Sequence, residues 1–133
     1  MKRLMLFLTL LVSFAYANAE TQLYRATSLA INAYNYNTYQ WTGWTDWEKC
    51  NINIIFDTDE EMVVIYSNKK QVYRIFAEAT APYDASGKQI AFKVVDQDND
   101  RGTLRLRVEN NGNSQIYIDF ADIRWVYNVY RVQ

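Results

Sequence analysis

TLRLRVENNGNSQIYIDFADIRWVYNV, residues 103–129, decides the fold. Polar and apolar residues alternate on both sides of Asn110-Asn111-Gly112, which suits a three-residue hairpin loop with glycine at the left-handed position. Pairing Glu109 with Asn113 sets Leu106 opposite Ile116 and Leu104 opposite Ile118, all on one face. The other face receives Arg107 with Gln115, Arg105 with Tyr117 and Thr103 with Asp119. Register and burial agree, because a slip of one residue would carry every apolar side chain to the wet side. A second turn at Ala121-Asp122 continues the pattern: Ile118 meets Trp125, Ile116 meets Tyr127, and Asp119 faces Arg124 outside.

Working outward, the same alternation predicts strands over 23–33, 48–56, 62–67, 71–79 and 89–95, followed by 103–109, 114–120 and 123–131. A turn at Gln97 to Arg101 pairs Val94 with Leu104 and Phe92 with Leu106. Asn68-Lys69 reads as a two-residue turn pairing Tyr66 with Gln71, Val64 with Tyr73 and Met62 with Ile75. The turn at Asp57 to Glu61 brings Ile54 to Val64 and Ile52 to Tyr66. One inner face thus carries Phe56, Tyr66, Tyr73, Phe92, Phe120, Trp125 and Tyr127. The long loop at 80–88, with the only proline, Pro82, leaves one join open. No segment shows a helical period.

An all-β meander of about eight antiparallel strands with one buried face has two outcomes, a closed barrel or a two-sheet β-sandwich. Closure removes both edges, so a small calycin-like barrel, in the company of lipocalins and streptavidin, is expected. Such a barrel holds side chains alone or one small ligand. Seven rings leave a narrow interior at most.

The first nineteen residues read as a secretory signal peptide: Lys2 and Arg3 precede an apolar run from Leu4 to about Ala17, closing on Ala17-Asn18-Ala19. A run of that length is too short to span a ~30 Å hydrocarbon core, so no membrane span is expected. An exported, periplasmic or secreted soluble chain is expected, with residues 20–133 as a single domain. Formal charge is −1 overall and becomes −3 when Lys2 and Arg3 are removed, which gives nucleic acid no electrostatic footprint. The one cysteine, Cys50, cannot form an internal disulfide and reads as a small apolar side chain. Histidine is absent, so Ser-His-Asp and Cys-His catalysis and His/Cys zinc sites are excluded.

Function points to the segment 34–47, YNYNTYQWTGWTDW. Flat rings cover the apolar faces of a sugar, and amides and carboxylates bond its hydroxyls. Trp41, Trp44 and Trp47 are the candidate platform, flanked by Tyr34 and Tyr36, with Asn37 and Asp46 as polar partners. The competing reading is that these rings cap the barrel. Asp96, Asp98 and Asp100 resemble the opening of a calcium loop, but Arg101 precedes Gly102 and no glutamate closes the loop, so a polar hairpin turn is favoured and no metal or other cofactor is expected. On the outer face, Ile55 opposite Val63 and Ile65 opposite Val72 would form an apolar patch suited to a homodimer or an envelope protein partner. Carboxylates such as Asp46, Glu48 and Asp119 show no spacing that makes a glycosidase pair, and an enzyme is not expected.

The stretches VVDQDNDRGTLRLRVENNGNSQIYIDFADIRWVYNV and IIFDTDEEMVVIYSNKKQVYRI resemble small exported bacterial β proteins of uncharacterised function. That resemblance implies export and a β fold and transfers no site. The functional expectation is therefore a β-barrel binding module for carbohydrate or another small ligand, the alternative being an interaction module of the cell envelope.

Overall fold

The last strand pairs with the first, and that ladder makes the sheet a barrel. The structure, a computed structural model, describes residues 21–57, 59–80, 85, 87–111 and 113–132; residues 1–19, on which the expected signal peptide falls, Pro82 and Gly112 lie outside them. Among the described residues nine strands follow in chain order: β1 (Thr21–Asn35), β2 (Gln40–Trp41), β3 (Glu48–Asp57), β4 (Met62–Ile65), β5 (Gln71–Ala79), β6 (Gly87–Val95), β7 (Arg101–Glu109), β8 (Ser114–Asp119) and β9 (Ile123–Arg131). β3 pairs antiparallel with β1, each of β4 to β9 pairs antiparallel with its predecessor, and β9 returns to β1 from Tyr24↔Arg131 to Ala33↔Ile123. Eight strands close the wall and β2 is an extra strand on the extended end of β1. The sandwich alternative is excluded. The join left open at 80–88 is a direct pairing of β5 with β6, from Arg74↔Val95 to Ala79↔Ala91.

The interior is solid with side chains. Phe56, Phe92, Ile54, Leu104, Ile116 and Ile118 are at most 1% exposed, each removing apolar area worth about 1.5–3 kcal/mol. Tyr24, which the alternation did not assign inward, meets Phe56 edge to face at 5.7 Å. A bulge between Ala26 and Ser28, with Thr27 as the extra residue, bends β1 so that Leu29 rejoins the core face opposite Tyr127.

The hairpins of β7, β8 and β9 carry the expected registers, Leu104↔Ile118, Leu106↔Ile116, Ile118↔Trp125 and Asp119↔Arg124. Between β6 and β7 the register differs by two residues, Phe92↔Leu104 and Val94↔Gly102, which leaves every face unchanged. β4 is the correction. Its partners are Ile54↔Ile65 and Phe56↔Val63 on one side and Val63↔Tyr73 and Ile65↔Gln71 on the other, one residue from the expected register. Val63 and Ile65 are therefore core residues at 0% exposure, and Tyr66 is 47% exposed. The reason lies in the β3–β4 loop. The Asp57 carboxylate accepts hydrogen bonds from the amides of Asp59 and Glu60, and Glu61 adopts φ 52°, so one more residue enters the turn. A run of wholly apolar Met62 to Ile65 offers no alternation to oppose the shift.

The correction dissolves the expected outer patch, since Val63 and Ile65 face inward. A row of Leu23, Ile55, Val64 and Val72 takes its place, half-buried or buried by its own neighbours. On the opposite wall Ala30 and Val126 point outward yet are 2% and 3% exposed. Segment 40–45 folds back beside β1, its Thr42 and Thr45 amides donating to the Ala33 and Ile31 carbonyls, and Trp44 reaches Tyr117 of β8 at 6.3 Å. With β1, β9 and β8 adjacent, that reach carries the indole across Ala30 and Val126. Beside it a half-buried polar chain runs from Ser28 through Asn128 and Gln115 to Tyr117, whose ring lies 4.2 Å from the Arg105 guanidinium.

Candidate functional site

In an antiparallel meander alternate connections open at the same end. Here the β4–β5, β6–β7 and β8–β9 connections converge on one mouth of the barrel. Three inward rings floor it. Trp125 stacks on Phe120 at 5.8 Å with planes 27° apart, and Phe120 lies 6.4 Å from Tyr73. Space for Phe120 comes from Gly102, where a Cβ would sit 2.7 Å from the Asp119 carbonyl and 3.0 Å from the Phe120 ring.

Against these rings a polar cluster lines the mouth, and its Ser67 hydroxyl donates onward to the Lys69 carbonyl at 2.7 Å. Tyr73 donates its hydroxyl proton to Gln71 Oε1, and Gln71 Nε2 donates to Ser67 Oγ at 2.9 Å and to the Tyr127 hydroxyl at 3.4 Å. Burial pushes both phenols up, with Tyr127 and Asp96 adding to the effect on Tyr73; hydrogen bonds from Gln71 and Trp125 oppose it at Tyr127. Both therefore remain neutral at ordinary pH. Burial, helped by Glu48, likewise raises the Cys50 thiol, which packs beside this cluster as a neutral apolar group rather than a thiolate.

Two clefts open over this floor. One, of about 340 Å³, is lined by Ser67, Lys69, Lys70, Tyr73, Gln97 and Asp98; the other, of about 380 Å³, by Asp100, Arg101, Phe120, Asp122 and Ile123. Asp96 and Trp125 line both. The acidic loop that resembled a calcium site forms the rim. Asp96 Oδ1 accepts from the amides of Asp98 and Asp100, each at 2.9 Å, and Asn99 takes φ 65°, so the carboxylate caps its own turn. Among the described residues no group of three or more carboxylate or thiol side chains gathers to hold a metal.

Residues 34–47 divide among three places. Asn35 Oδ1 accepts from the amides of Asn37 and Thr38 and Tyr39 takes φ 56°, which turns the chain and sets Tyr34 opposite Trp41. Tyr34, Tyr36 and Trp41 then form one cluster, with centroids 5.1 and 5.6 Å apart and the Arg124 guanidinium 4.2 Å from Trp41. Tyr36 donates to Asp122 Oδ2 at 3.3 Å, so this cluster borders the second cleft. Trp44 lies on the outer wall, and Trp47 is 50% exposed with Asn37 and Asp46 also at the surface. No ring contact joins Trp41, Trp44 and Trp47 among the described residues.

The residue that sequence reasoning placed in the core but not in the site is Trp125. Its signal was position: an inward tryptophan three residues after a turn, at a strand's first inward positions, must lie near a barrel end. The arrangement can hold the flat face of a ring against aromatic carbon while carboxylates, amides and ammonium groups meet its polar edge. No protein-family model matches this chain, and neither a curated protein nor a solved structure does.

Proposed function

We propose that this chain is an exported β-barrel binding module that takes a carbohydrate, or another small ring-bearing polar ligand, at the mouth around Trp125. The carrying observation is the pair of clefts that share Trp125 and Asp96, mixing stacked rings with Asp, Gln and Lys side chains. Their volumes stand near the lower end of the ~300–1,000 Å³ typical of small-ligand sites. The solid interior below argues against a long lipid tail, because Phe92, Val94 and Leu104 fill the barrel at 0% exposure. Export rests on the leader-like residues 1–19.

The aromatic hairpin is part of this reading as a flank, through Tyr36 and Asp122, rather than as a three-tryptophan platform. The test is a tryptophan emission titration of residues 20–133 with a panel of mono- and disaccharides. A saturable change is expected that survives Trp44→Ala on the outer wall and disappears in Trp125→Phe, with far-ultraviolet circular dichroism unchanged. A response that persists in Trp125→Phe and vanishes in Trp41→Phe would move the site to the hairpin; a flat response throughout would remove the carbohydrate reading.

A further inference from the structure

We infer that the two clefts are adjoining subsites for two linked rings, so that the ligand class is a disaccharide unit rather than a single sugar. This inference rests on the carbohydrate reading above and goes further by assigning ligand length and polarity. Three observations carry it. Trp125 and Asp96 line both clefts, so they stand between them as a common wall. That wall is fixed on both sides: the indole is stacked on Phe120, and the Asp96 carboxylate is held by two amides of its own loop. The clefts therefore do not merge into one bowl by a side-chain rotation, and each has room for one ring.

The two subsites also differ in chemistry. Lys69, Lys70 and Gln97 give the first cleft donors balanced by Asp98, whereas Asp100 and Asp122 give the second acceptors beside Arg101. A ligand whose two units present different hydroxyl or amide edges will lie in one direction across the saddle. Linking the rings makes the second contact intramolecular, which raises affinity without any new contact type.

The test is isothermal titration calorimetry of residues 20–133 with glucose and N-acetylglucosamine against maltose, cellobiose and di-N-acetylchitobiose. At least one disaccharide is expected to bind about tenfold or more tightly than its own monosaccharide. Lys69→Ala in the first cleft and Asp100→Asn in the second are rim substitutions at exposed positions and should each weaken that disaccharide by roughly threefold to tenfold. Equal affinity for a monosaccharide and its disaccharide, or disaccharide binding unchanged in both variants, overturns the two-subsite inference while leaving the carbohydrate reading in place. No heat from any sugar, with Trp125 emission also unchanged, overturns both.

Discussion

Gly102 shows how one missing methyl group shapes the mouth. It stands opposite Val94 on the inner face, and the Asp119 carbonyl and the Phe120 ring crowd the place that its Cβ would need. Phe120 in turn carries Trp125. Gly102→Ala must therefore push either the Asp119 carbonyl or the Phe120 ring, and overpacking of this kind costs about 1–3 kcal/mol. We expect a lower urea midpoint and a shifted tryptophan emission in the same variant, because the strain passes into the indole's support. Unchanged stability and emission would show that Phe120 yields freely and does not fix the floor of the site. Asp96 acts at the same scale: its side chain serves the loop's backbone first, which is why an acidic run that looks like a cation site in sequence is a rim in space.

Among the elements, β4 is where sequence and structure part, and the cause is physical. Strands β7, β8 and β9 were legible because strict alternation forbids a slip and their turns are short. β4 reads Met62-Val63-Val64-Ile65, apolar at every position, so either face could be buried and the neighbouring turns decided. Those turns depend on the Asp57 cap and on the left-handed backbone of Glu61, a residue type that gives no warning of positive φ. β2 escaped for a similar reason, being two residues set by the Asn35 cap and the left-handed Tyr39. The site was legible in part: the rings of 34–47 and the acidic turn of 96–100 were visible, but their relation to Trp125 exists only once three connections meet. The β4 register makes a sharp contrast between neighbours. Ile65→Ala should cost about 2–5 kcal/mol by opening a core cavity, and Tyr66→Ala within about 0.5 kcal/mol of nothing, both read from chemical denaturation. The reverse ranking would restore the register that alternation alone suggests.

For the molecule as a whole, closure places tyrosines where a phenolate cannot be hydrated. Tyr24, Tyr73 and Tyr127 are 5%, 3% and 3% exposed, and burial raises all three above the ordinary phenol value, opposed at Tyr24 by the nearby Arg131 charge. In the unfolded chain the same groups release their protons near pH 10. Above that pH the unfolded chain binds fewer protons than the barrel, so stability is fully present below pH ~10 and falls as pH rises toward the folded values. Each such phenol contributes a slope of about 1.4 kcal/mol per pH unit. Because all three belong to one closed core, their losses add within a single cooperative transition rather than appearing as local fraying. The barrel should therefore unfold sharply in alkali, with buried-phenolate absorbance at 295 nm rising together with loss of the β-sheet circular dichroism signal. Tyr73→Phe, which keeps the ring and removes the titrating group, should move that transition to higher pH even though it breaks the bond to Gln71. If the phenolate absorbance instead rises fully near pH 10 while the sheet signal is intact, these tyrosines are open to solvent and the mouth is not sealed beneath Trp125.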